Sequence, residues 1–143
     1  MGLTSGIGKN HIIRAALEAI AYQTEDVLAA MNADMKEIYG DSFVSVLRVD
    51  GGASANSLLM QMQSDFSNVG VQRSANAEAT AAGAAYLAGL ATGFFKSRDE
   101  IKSMIGVGKI FEPQITKEAR QKALGGWRRA IRACRIFSES EDR

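Results

Sequence analysis

Residues 43 to 56 constrain the fold more than any other stretch of this chain. Phe43-Val44-Ser45-Val46-Leu47-Arg48-Val49 is rich in β-branched residues and alternates, as a strand does. It runs directly into Asp50-Gly51-Gly52 and then into an apolar pattern of helical period, with Leu58, Leu59, Met62 and Phe66 expected to face inward over residues 54 to 66. A strand that stops on two glycines and restarts as a helix belongs to an α/β architecture. Two glycines let a backbone come close to a ligand, and a helix N-terminus offers unpaired N–H groups. The same residues also suit a plain tight turn capped by Ser54 or Asn56, so chemistry alone leaves both readings open.

The rest of the chain supports a helix-heavy α/β fold. The spacing of Ile13, Leu17, Ile20, Val27 and Met31 predicts a helix over residues 11 to 33 that buries those side chains, with Asn10 as N-cap. Residues 34 to 42 read as an irregular surface loop turning near Gly40-Asp41-Ser42. Residues 69 to 73 read as a short strand and 77 to 91 as a buried helix of small residues. Residues 97 to 104 suggest a short helix and Lys109 to Phe111 an extended piece. Pro113 breaks the chain, and Thr116 is placed to cap a last helix reaching Phe137. Four substantial helices against three short strands leave apolar faces uncovered, so the chain is expected to be part of a larger protein.

Several function classes fall away. The 17 Lys+Arg against 16 Asp+Glu give a net charge of +1, which makes no general field for nucleic acid or an anionic membrane. One cysteine, Cys134, and one histidine, His11, form neither an internal disulfide nor a zinc cage. The uncharged run Ala79 to Phe95 is shorter than the about 18–20 residues of a membrane helix, and residues 1 to 6 lack a signal peptide's apolar run. The cytoplasm is the expected compartment. Gly2 to Asn10 resembles a phosphate loop only superficially, because Leu3 stands where the first glycine belongs and Asn10 where a hydroxyl is needed. His11 reads as a capping or packing residue. Cys134 reads as a buried apolar side chain and the six methionines as mostly core. Lys117, Arg120, Lys122, Arg128, Arg129, Arg132 and Arg135 read as the solvated face of the last helix.

Beyond composition, the segment Leu47 to Asn56 followed by Leu59-Met60-Gln61-Met62-Gln63-Ser64-Asp65 resembles the C-terminal domain of the FGGY sugar kinases, the glycerol kinases most closely. Glu78 to Ala91 is similar to that family's small-residue helix. His11 to Gln23 is similar to the end of its second signature, and Phe111-x-Pro113 and Gly126-Trp127 to its C-terminal region. The matches run in order along nearly the whole chain. Xylulose and gluconate kinases carry a looser version of the Val-Asp-Gly-Gly-Ala text.

The resemblance implies a ribonuclease-H-like, actin-like ATPase domain, incomplete here. Residues 1–143 would form the C-terminal part of the second, nucleotide-side domain, with the N-terminal domain absent. It implies ATP with Mg2+, the metal held mainly outside this segment, and glycerol as acceptor, giving sn-glycerol 3-phosphate. Gly52 and Asn56 would contact the nucleotide, Gly51 would allow close approach, and Asp50 would shape the turn. No catalytic residue and no metal ligand would lie in residues 1 to 143, so the segment alone is expected to be inactive. A homo-oligomer is expected, with no nucleic-acid or membrane partner. The alternatives are a non-catalytic kinase-like interaction module, or a kinase for another polyol or sugar.

Overall fold

The computed structural model describes residues 2–40, 44–76 and 78–139. Helix α1 (Lys9–Tyr39) leads to strand β1 (Val46–Val49), a 3-10 turn (Gly52–Ala55), α2 (Ser57–Ser67) and β2 (Gly70–Ser74). Helices α3 (Ala79–Ala91) and α4 (Arg98–Met104), strand β3 (Val107–Phe111) and helix α5 (Lys117–Glu139) complete the chain. The sheet order is β1-β2-β3. β1 and β2 are parallel, joined across α2, whereas β3 is antiparallel to β2 and starts where β2 ends, Val107 opposite Ser74. The helix-rich α/β architecture expected from the alternation of strands and helices is therefore present.

Helix α2 is the centre of the packing. Leu59, Met60, Met62 and Phe66 meet Ala21 of α1, Val71 of β2, Phe111 of β3 and Leu124 of α5 in one buried cluster. Burying such a side chain fully stabilises by about 1.5–3 kcal/mol. A stack of rings joins three helices: Tyr22 lies 4.3 Å from Phe66 and 5.5 Å from Trp127, centroid to centroid. Trp127 Nε1 donates to Asp26 Oδ2 at 2.6 Å. Burial, with the Glu18 carboxylate nearby, raises the Tyr22 hydroxyl above its ordinary pKa. The polar letters of the Gln-x-Gln-Ser-Asp text tie α2 to its surroundings. Gln63 Nε2 donates to Thr24 Oγ1, the Ser64 hydroxyl is shared between the carbonyls of Val69 and Phe111, and Gln61 donates to the Glu112 carbonyl. Asp65 accepts from the Gln114 N–H at 2.8 Å.

Several expectations are corrected. α1 continues through residues 34 to 39, because no glycine or proline stops it before Gly40, which ends it with φ +91°. The expected loop there is helix, and Asp41 and Ser42 lie outside the described residues. Gly8, not Asn10, is the N-cap of α1, and its N–H donates to His11 Nδ1 at 3.2 Å, which gives His11 its capping role. The buried stripe of α1 is Ala21, Glu25 and Leu28, with Leu17 partly covered. Ile13, Ile20, Val27 and Met31 lie on a different stripe and are exposed. Small Ala21, fully buried, sits where α1 packs on α2. Leu58 is exposed because the turn at Gly52–Ala55 starts α2 three residues later than the apolar pattern suggests. No residue of α3 is buried; its close approach is made by the Phe95 ring against Gly89. Cys134 is exposed, since α5 touches the core through Leu124 and leaves its last turns outside. Among Met31, Met35, Met60, Met62 and Met104, only Met60 and Met62 are buried.

Arg120 also departs from the solvated face assigned to it. Its Nη2 lies 2.7 Å from Glu25 Oε1, and its Nε donates to the Phe66 carbonyl. Burial raises the Glu25 carboxyl above the ordinary carboxylate range, an effect that the Arg120 charge only partly offsets.

Candidate functional site

The turn after β1 is held from several directions at once. β1 ends at Val49, and Gly51 takes φ +81° with ψ 173°, a backbone region open almost only to glycine, where a side chain costs about 1–3 kcal/mol. The Gly51 carbonyl accepts twice from Ser54, from its N–H at 3.1 Å and from its hydroxyl at 2.7 Å. Ser54 is the one buried residue of the 3-10 turn, and its hydroxyl closes the loop back on the first glycine. Asn56 then caps α2: its Oδ1 accepts from the N–H groups of Leu58 and Leu59, at 3.0 and 3.2 Å. That satisfies two of the donors that any helix start leaves unpaired.

Gly51, Gly52 and Asn56 are thus brought together on one exposed turn. The two glycines differ in backbone conformation. The positive φ belongs to Gly51, whereas Gly52 has an ordinary backbone conformation and a Cβ there would meet nothing within 4 Å. Neither strain nor a contact within the chain gives a reason for glycine at 52, and the space above it is open. Asn56 uses only its oxygen for the cap. Among the described residues its Nδ2 donates to nothing, so one face of the amide is available to a ligand. Of the two readings left open by the sequence, the capped turn is the one seen at Asn56.

Asp50 is exposed at the C-terminal end of β1 and lines a cleft of about 490 Å³ with Arg48, Gln72, Arg73, Lys102 and Ile105. Among the described residues no three His, Cys, Asp or Glu side chains converge.

Arg73 is a residue that sequence reasoning missed. Its Nη1 lies 3.3 Å from the carbonyls of both Ser54 and Ala55, and its guanidinium stands 5.7 Å from the Phe111 ring centre. A signal was present in the sequence. Arg73 follows Val71 by two, so it shares the inward face of β2 with a fully buried valine, and a cation placed inward needs a partner.

The first 92 residues match the model of the FGGY family of carbohydrate kinases, C-terminal domain. Over 142 residues the chain is 50% identical to a glycerol kinase of Aliivibrio fischeri (strain MJ11), covering 99% of this chain and 27% of that protein. Among solved structures it is similar to Plasmodium falciparum glycerol kinase with ADP, with a TM-score of 0.82 and 34% identity over 93% of this chain and 26% of that one. It shares its fold with a ligand-bound xylulose kinase of Lactobacillus acidophilus, with a TM-score of 0.71 and 21% identity over the same shares. The chain spans about a quarter of the length of the relatives it matches.

Proposed function

The chain belongs to the FGGY family of carbohydrate kinases, and from that premise we propose that it is the nucleotide-side part of a glycerol kinase. The complete protein would transfer the γ-phosphoryl group of ATP to glycerol, giving sn-glycerol 3-phosphate. Residues 1–143 would form the C-terminal part of the second of two domains, and ATP would sit in the cleft between them. The names of the relatives favour glycerol over other polyols and sugars, and the ADP that accompanies the Plasmodium glycerol kinase favours an adenine nucleotide.

The observation that carries this reading is the exposed Gly51-Gly52 turn with the available amide of Asn56. Gly51 supplies the bend, Gly52 leaves room for a ligand, and Asn56 offers an Nδ2 donor fixed by its capping oxygen. Together they fit the flat adenosine part of a nucleotide better than its phosphates, since residues 50 to 56 include no Lys or Arg and the neighbouring Arg73 guanidinium donates to the Ser54 and Ala55 carbonyls. Phosphoryl transfer depends on positioning and on charge stabilisation by metal and donors. This chain's residues would do the positioning. The base that takes the glycerol proton, the phosphate-gripping groups and the Mg2+ ligands would lie elsewhere in the complete protein, and the chain alone would be inactive. The protein would work in the cytoplasm as a homo-oligomer, without nucleic-acid or membrane partners.

The test separates the two jobs of Asn56 in the complete kinase. Asn56→Ala removes cap and donor, whereas Asn56→Ser keeps a capping oxygen. Asn56→Ser is expected to hold the melting temperature yet raise KM for ATP, with KM for glycerol within about twofold. The loss is about 1–3 kcal/mol, the size of one lost polar contact. Unchanged ATP kinetics in Asn56→Ser would return the turn to a purely structural role.

A further inference from the structure

We propose that Arg73 is a positioning residue for the nucleotide turn, holding it in its ligand-ready shape from beneath. The inference rests on the reading of Gly51, Gly52 and Asn56 as a nucleotide contact, and it adds a residue from a different strand to that site.

A four-residue 3-10 turn that hands over to an α-helix leaves carbonyls without helical partners at its end. Here those carbonyls are Ser54 and Ala55, and one guanidinium nitrogen of Arg73 reaches both at 3.3 Å. Asn56, the next residue, carries the available Nδ2, so the peptide planes that Arg73 holds are those that aim it. Arg73 is itself fixed. Its guanidinium rests near the ring of buried Phe111. Its backbone pairs with Val49 of β1, and where the β2–β3 ladder is irregular, between Gln72 and Ser74, β3 passes so close that a Cβ on Gly108 would come within 2.5 Å of the Arg73 carbonyl. Among the described residues Arg73 pairs with no carboxylate. Its donors therefore go to the turn and not to a surface ion pair. A lysine would bring three rotatable donors on a flexible stem but no planar group to rest by the Phe111 ring, so it would hold the two carbonyls less firmly.

The complete kinase provides the test, with Arg73→Met and Arg73→Lys beside Asn56→Ser. Arg73→Met is expected to raise KM for ATP, and the calorimetric Kd for ADP, by about tenfold, the size of one polar contact. KM for glycerol and kcat should stay within about twofold, and Arg73→Lys should recover part of the loss. In the 143-residue chain, amide hydrogen exchange at Ser54 and Asn56 should speed up in Arg73→Met before that of α2 does. ADP affinity unchanged in Arg73→Met, or a rise in both KM values that follows a fall in melting temperature, would overturn the inference. Should Arg73→Met fail to fold, Arg73→Lys carries the same readouts and the same criteria. Asn56→Ser reports on the underlying reading independently. If it leaves ADP affinity untouched, the nucleotide site is wrong; if it weakens ADP while both Arg73 variants do not, only the role of Arg73 is wrong.

Discussion

Two glycines of the turn make opposite demands, and substituting each by alanine distinguishes them. Gly51→Ala places a side chain at φ +81° and ψ 173° and is expected to destabilise the chain by about 1–3 kcal/mol, with a fall in melting temperature that needs no nucleotide to be seen. Gly52→Ala meets nothing within 4 Å and sits in a turn of helical type, so its stability should change by less than about 0.5 kcal/mol while ADP binding weakens. Urea unfolding and calorimetry on both variants check this pair. Equal loss of stability in the two would mean that the space above Gly52 is not what selects glycine there. Residue type was legible in the sequence at both positions. Which glycine carries the positive φ was not, because that depends on how the turn is drawn back by the Ser54 hydroxyl.

Between elements, the Glu25–Arg120 pair links α1 to α5 and, through the Phe66 carbonyl, to the end of α2. Removing one member leaves the other buried without a partner, so Arg120→Ala is expected to cost about 3 kcal/mol in urea unfolding. The pH dependence has a definite sign. Burial holds the folded Glu25 pKa above its unfolded value, so its contribution is complete below the unfolded pKa and is lost as pH rises through the raised one. Relative to Glu25→Gln, the unsubstituted chain should therefore lose stability as pH rises through and above the ordinary carboxylate value. A gain over that range would show that the Arg120 attraction outweighs burial. Helix periodicity identified α1 as a helix but chose the wrong face. Ile13, Ile20, Val27 and Met31 form the more apolar stripe, yet the stripe of Ala21, Glu25 and Leu28 is the one that packs.

At the scale of the molecule, the described residues leave much apolar surface uncovered. Ile12, Ile13, Ile20, Val27, Met31 and Ile38 are exposed along α1, Leu87 and Phe94 on and after α3, and β1 is an edge strand beside a parallel neighbour. Parallel strands are ordinarily covered on both sides, and large exposed apolar patches mark interfaces. The isolated 143-residue chain is therefore expected to self-associate and to bind a hydrophobic dye, and to produce no glycerol phosphate above a blank. Light scattering, dye fluorescence and a coupled assay check these three outcomes. A monomer at high concentration without dye binding would show that these faces need no cover, and turnover by the chain alone would place a base within it.

The sequence by itself determined the order of strands and helices, the α/β class, the cap at Thr116, and the Gly-Gly turn with Ser54 or Asn56 as the cap after it. Each of these follows from local chemistry: β-branched alternation, side-chain oxygens beside helix starts, and glycine where the backbone must bend. The resemblance to the FGGY kinases was legible too, because its motifs run unbroken through that turn. Only the tertiary structure decided which face of α1 is buried, that Arg120 pairs inward while Cys134 faces out, and that Arg73 reaches the turn from β2. These depend on which surfaces meet. Residues 18 or 19 apart, such as Arg73 and its two carbonyls, become neighbours only when β2 lies parallel to β1. Local propensity carries no information about that meeting, and the packing of α2 against α1, β2, β3 and α5 does.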